Sequence, residues 1–206
     1  LRALELNPNS AWARDWFGFT LIMMGRFDEA LVHLRKAVEL EPRTALFYGD
    51  LGELYRFWRR YDEAIVQHRK GLEVDPNSWI VWVVLGRAYV DKGAYREGIA
   101  ALEKARSLDP NPQLLAFLAQ AHGLAGDRIE ARRLLVELEK TPIVTPSFVA
   151  LGYLGAGDHD RAFEWLEKSV SQREMFATFL KFDPSFDPLR SDPRFAALLK
   201  RIPIFQ

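Results

Sequence analysis

Apolar residues recur at helical spacing along this chain, and the breaks between them are as regular as the apolar positions themselves. A run with large side chains at Trp12, Trp16, Phe17 and Phe19 predicts a first helix, Met24-Gly25-Arg26 predicts a reversal, and a second helix is predicted from there to the next proline, Pro42. The same order then returns. Phe17, Leu51 and Leu85 each stand just before a glycine, and Phe27, Tyr61 and Tyr95 each stand shortly before a small residue. Small residues at Gly18 and Ala30 let two antiparallel helices approach closely. Acids such as Asp28-Glu29 and Asp62-Glu63 fall in the first turn of the second helix, where the positive end of its dipole favours them. The opening residues, Leu1 to Leu6, read as the last turns of a helix stopped by Asn7-Pro8, because proline cannot continue a helix and drives its predecessor out of the α region.

The interval between equivalent positions is 34 residues: it separates Pro8, Pro42, Pro76 and Pro110, then Gly18, Gly52 and Gly86, then Ala30, Ala64 and Gly98. Such self-similarity is the mark of a repeat array. The pattern resembles the tetratricopeptide repeat, and the resemblance covers nearly all of the chain. It implies an all-α fold, a right-handed superhelical solenoid of antiparallel helix pairs with a C-terminal capping helix. Units are expected at 11–44, 45–78 and 79–111, followed by two looser ones at 112–142 and 143–172. In the looser units Ala119, Gly126, Ala131 and Leu135, then Ala150, Gly157, Ala162 and Leu166, hold the small and turn positions. The register slips there, and Thr141-Pro142 and Thr145-Pro146 frame the junction. One period back from Val38-Glu39-Leu40-Glu41-Pro42 lies Leu4-Glu5-Leu6-Asn7-Pro8, so residues 1–10 are expected to be the tail of a repeat that begins upstream.

The period stops after the fifth unit. Residues 173–206 are expected to form a turn segment and a capping helix, since three Asp-Pro steps mark turns and the last of them starts a helix. Asp192 suits the N-cap, Pro193 the first helical position, and Phe195, Leu198 and Leu199 the inner face. This stretch, Asp183 to Ile202, together with Gly152 to Lys168, is similar to the tails that close the tetratricopeptide regions of large bacterial regulatory proteins. In those proteins the repeats follow a winged-helix DNA-binding, nucleotide cyclase or Ser/Thr kinase domain.

Composition narrows the function. The 28 Lys and Arg balance the 28 Asp and Glu, so the net field that draws a protein to nucleic acid or to an anionic membrane is missing, and neither is expected as a partner. With no cysteine, thiolate chemistry and disulfides are excluded, which fits a reducing compartment; a cytoplasmic location is expected. The longest apolar run, Trp79 to Leu85, is far too short for a membrane span. His33, His68, His122 and His159 lie on different repeats with no ligand spacing and are read as surface or packing residues. No protease, hydrolase or phosphate-loop motif is present, the glycines from Gly152 to Gly157 have the wrong spacing for a dinucleotide site, and the paired acids recur as a repeat feature. No cofactor, no metal and no catalytic residue is expected. Arg56-Phe57-Trp58-Arg59-Arg60-Tyr61 is read as a solvated turn in which Arg59 replaces the usual glycine, with a partner contact as the second reading.

What remains is binding. The resemblance places the second, fifth, ninth and twelfth residue of each unit on a concave wall lined by the first helices, where a peptide or partner surface would sit. The expected partner-binding residues are Trp12, Asp15, Phe19, Asp50, Glu53, Arg56, Val83, Arg87, Phe117 and Gln120. Trp12 and Trp16 have two readings, as packing against an upstream repeat or as an apolar anchor for a peptide; Phe19 is assigned to the groove. A carboxylate clamp of the chaperone-binding subclass is not expected, because Asp15 with Phe19 and Gly49 with Glu53 stand where it needs lysine and asparagine. The asparagine ladder of sugar-transferase members is missing too, its position holding Trp16, Asp50, Val84 and Phe117. The expected function is a non-catalytic protein-interaction module, the C-terminal arm of a larger bacterial regulatory protein; the alternative is a scaffold or assembly factor of an envelope or secretion complex. Self-association through the apolar side of the first unit is a further expectation.

Overall fold

The computed structural model describes residues 2–141 and 144–202, so the expected boundary at 142 and 143 lies outside the described residues. The chain is all-α. After a short α1 (Arg2–Leu6) come five helix pairs: α2 (Ala11–Met23) with α3 (Phe27–Leu40), α4 (Ala45–Phe57) with α5 (Tyr61–Val74), α6 (Trp79–Lys92) with α7 (Tyr95–Leu108), α8 (Leu114–Leu124) with α9 (Arg128–Leu138), and α10 (Pro146–Gly155) with α11 (His159–Ser171). Two 3₁₀ helices, Met175–Lys181 and Pro184–Leu189, lead to α12 (Pro193–Leu199).

Local chemistry fixes the helix ends. Ser10 accepts a hydrogen bond from the Ala13 amide, and Asp127, Asp158 and Asp192 accept from the amides of Glu130, Arg161 and Arg194, each satisfying a donor that the first turn leaves open. The reversals between paired helices need a residue in the left-handed region, supplied by Gly25, Gly93, Gly126 and Gly157; in the second pair Arg59 adopts it, at φ 60°. The partners then pack through small residues. A Cβ on Gly18 would lie 2.6 Å from Leu34, and one on Gly86 2.7 Å from Leu102. Between α8 and α10 the approach is closer still: a Cβ on Gly155 would fall on the Cα of Gln120, and one on Gly123 on the carbonyl of Gly155. The aliphatic core runs along the array, with Leu21, Leu34, Leu54, Leu102, Leu118 and Leu134 fully enclosed.

One core position breaks this chemistry. One period after Leu34 and one before Leu102, against Gly52, stands His68, with no exposed surface and with neither ring nitrogen bonded among the described residues. Burial drives its pKa down to about 4, against a favourable pull from Glu53, so the ring is neutral in the folded chain. In the unfolded chain it binds a proton near pH 6.5. Stability from this group is therefore complete above pH 6.5 and falls as the pH drops toward 4.

His68→Leu, which matches the residue in the neighbouring repeats, is expected to stabilise the chain by about 1–2 kcal/mol at pH 7 by removing two unbonded polar atoms. It is also expected to flatten the fall in stability between pH 6.5 and 4. Urea unfolding at neutral and mildly acidic pH measures both, and a less stable variant at neutral pH would refute the packing argument. Gly155→Ala forces backbone against backbone and is expected to cost about 2–3 kcal/mol in the same measurement.

Candidate functional site

The first helices of the five pairs, α2, α4, α6, α8 and α10, share one face, and that face is occupied by the chain's own tail. After α11, Arg173 turns the backbone through the left-handed region at φ 52°, and Glu174 reaches the start of α10. There its carboxylate accepts from the Ser147 amide at 3.0 Å and from the Ser147 hydroxyl at 2.6 Å, placing negative charge at the positive end of the helix. From that point residues 175–189 run back across the first helices toward α2.

Four phenylalanines carry the segment. Phe176 packs on Phe148 of α10 at 4.8 Å, Phe179 stacks on Phe57 of α4 at 5.1 Å and meets the edge of Phe19 of α2 at 5.5 Å, and Phe182 reaches Phe27 of α3 at 5.7 Å. Phe186 then turns back to stack on Phe195 of α12, whose Phe195 and Leu198 bury against the end of the array as the sequence predicts. The segment thus ties the last pair to the first.

Between these rings lies a buried charge cluster. Arg56 has 0% of its surface exposed and makes five hydrogen bonds, matching the five guanidinium N–H donors. Its Nε and Nη2 donate to Glu53 at 2.7 and 3.2 Å, Nη1 to Asp91 at 2.6 Å and to Asp183 at 3.0 Å, and Nη2 to Asp183 at 3.3 Å. Arg87 donates to Asp183 at 2.8 Å, lies 3.6 Å from Glu53 and faces the ring of Phe117 at 5.0 Å. Burial opposes charge on Asp183, yet Arg56 and Arg87 outweigh it and hold the carboxyl well below the usual range. Glu53 is lowered in the same way against its burial. On Asp91 burial prevails over Arg56 and raises the pKa, and Ser185 donates to its second oxygen at 2.9 Å. A cavity of about 40 Å³ remains beneath the tail, lined by Phe19, Glu53, Arg87 and Ser147 among others.

The expected partner-binding residues therefore fall into three groups. Phe19, Glu53, Arg56 and Arg87 surround the tail segment, and Phe117 lies behind them against Arg87 and Phe148. Val83 and Gln120 are buried between helices. Trp12, Asp15 and Asp50 lie at the α2 end. Trp12 is 45% exposed and sets its ring edge-on to Phe47 at 4.9 Å, while Trp16 is 66% exposed. Burial raises Asp15 to about 6, partly offset by a hydrogen bond with Asp50, and Asp50 is pushed well above its ordinary value by burial and by the Asp15 charge.

The solvated-turn reading of Arg56 to Tyr61 is corrected. Arg56 is the most deeply paired charge in the chain's inner face, and Arg59 bonds Asp187 of the second 3₁₀ helix at 2.7 Å. Arg59 and Arg60 are themselves exposed, as a turn requires, and Arg60 bonds Glu63 at 2.7 Å. Sequence reasoning missed the partners of Arg56 and Arg59 because Asp183 and Asp187 lie 127 and 128 residues away. A signal was present in the phenylalanines at 176, 179, 182 and 186, spaced three or four apart around an aspartate. Among the described residues there is no group of His, Asp and Glu able to hold a metal ion, and no helix long and apolar enough to cross a membrane.

Known proteins share this architecture. Tetratricopeptide repeat models match residues 1–32, 59–121 and 112–137, together more than half of the chain. No curated protein matches. Among solved structures, TTC0263, a thermophilic tetratricopeptide repeat protein of Thermus thermophilus, is 22% identical with a TM-score of 0.66, covering 93% of this chain and 100% of its own. YrrB, described as a tetratricopeptide repeat protein with an unusual peptide-binding site, is 21% identical with a TM-score of 0.54 over 87% of this chain and 96% of its own. MamA is 22% identical, with a TM-score of 0.53 over 78% of this chain and 96% of its own. These similarities show the fold.

Leaving a buried charge without its partner is far costlier than the pair is stabilising. Arg56→Leu, which strands Asp91 and leaves Asp183 with Arg87 as its one guanidinium, is expected to lower stability by about 3–5 kcal/mol in urea unfolding. A loss below about 1 kcal/mol would mean that the carboxylates are hydrated instead.

Proposed function

Because the chain belongs to the tetratricopeptide repeat family, we propose that it is a non-catalytic protein-interaction module that receives a peptide or an extended partner segment on the face lined by its first helices. One observation carries the reading: this face already accommodates a peptide segment, residues 175–189, through aromatic rings and a carboxylate. The residues assigned to a partner are Trp12, Asp15, Phe19, Asp50, Glu53, Arg56, Val83, Arg87, Phe117 and Gln120. Trp12 and Trp16, exposed beside Asp15 and Asp50, extend the face beyond the reach of the tail and supply the large aromatic surface that interface hot spots use. The similarity of Asp183 to Ile202 to the tails of large bacterial regulatory proteins supports a place as the C-terminal arm of such a protein, acting in the cytoplasm.

Selection of peptides from a random display library on the full chain, followed by calorimetry, tests the reading. Trp12→Ala and Phe19→Ala are each expected to weaken a selected peptide by about tenfold or more. Unchanged affinity in both folded variants would remove the inner face from the binding site.

A further inference from the structure

We propose that residues 175–189 are an exchangeable self-ligand, and that the partner admitted in their place carries the same chemistry: two aromatic residues three apart, followed four residues later by an aspartate. The proposal rests on the functional reading above and names both the occupant of that face and its regulation.

The occupant is defined by what the face demands. Arg56 is completely enclosed, and its five donors are divided among Glu53, Asp91 and Asp183. When Asp183 leaves, two guanidiniums lose a shared carboxylate, and an apolar or basic replacement leaves them short of acceptors in a site with little access to water. Any segment that takes this place therefore has to bring a carboxylate. Phe57, Phe19 and Phe148 likewise present ring faces and edges at fixed positions, which Phe176 and Phe179 now cover. Aromatic, aromatic and acid at the spacing of Phe176, Phe179 and Asp183 is the pattern that these partners read.

Exchange is built into how the segment is attached. It is made of two 3₁₀ helices, whose internal hydrogen bonds are poorer than those of an α-helix, so side chains supply most of its hold. Residues 171–173 at its entry are exposed, and Arg173 there is in the left-handed region. At its exit α12 is held to α11, where Arg194 bonds Asp160 at 2.8 Å, as well as to the segment through Phe186 on Phe195. The segment is thus a strap anchored at both ends. It can leave the inner face without freeing the chain terminus, and its tethering gives it a high local concentration against which an incoming peptide must compete.

A fluorescein-labelled peptide of residues 175–189, titrated into the full chain, tests this. Phe179→Ala with Phe182→Ala loosens the strap, and its fold is verified by circular dichroism. The labelled peptide is expected to bind this variant at least about tenfold more tightly than the unaltered chain, since the apparent affinity scales with the fraction of open face. Equal affinity for both, or no binding to the folded variant, overturns the proposal. Hydrogen exchange on the unaltered chain is a second measurement: amides of 175–189 are expected to exchange at least about tenfold faster than those of α4 and α6, and exchange only with global unfolding overturns it. A dimer in sedimentation that holds the strap across two copies also overturns it. Display-selected peptides that bind through Trp12 and Phe19 equally well in both chains would sink the self-ligand and leave the functional reading standing.

Discussion

A guanidinium with no access to water has to find its charge and all five of its donors matched inside the protein, and Arg56 imposes that requirement on everything around it. Glu53, one turn earlier on α4, meets part of it. Asp91 from α6 meets another part, which fixes the second and third helix pairs against each other. Neither completes the set. The last acceptor is Asp183, and bringing it there requires the chain to turn at Arg173 and cross the first helices, where Phe176 and Phe179 lie along them. The fold of the tail is thus a consequence of one charge placed where repeat arrays of this kind keep an accessible surface.

Much of the fold was legible in the sequence because the repeat writes its physics at a fixed period. Gly18 and Gly86 face leucines, glycines turn the pairs, and Asp192-Pro193 begins the last helix, all by local chemistry that a sequence displays. The candidate site was legible only on one side. Glu53, Arg56 and Arg87 could be placed on the inner face from their register, but their partner could not, since no period relates Asp183 to them. Arg56 to Tyr61 was misread as a solvated turn for the same reason: an arginine at the end of a helix looks like surface until the acid that covers it is found. His68, read as a surface or packing residue, is a packing one, since its register one period from Leu34 and Leu102 places it in the core.

The inner face consequently has two regions of different character. Toward α10 and α6 it is filled, aromatic and charge-matched. Near α2, Trp12 and Trp16 are exposed among the described residues, beside Asp15 and Asp50, whose pKa values burial raises.

The separation between Arg56 and Asp183 also changes how such a chain has to fold. In an open array each unit touches only its neighbours, so stability accumulates unit by unit and ends can fray independently. Here a contact spans 127 residues and closes the array into a loop. As the chain emerges during synthesis, the first three units can stack with Arg56 still hydrated, but its enclosure waits for the last segment to be made. Desolvation of that one side chain therefore reports docking of the 175–189 segment, and it couples helix pairs that lie far apart in sequence while the segment itself can still open locally.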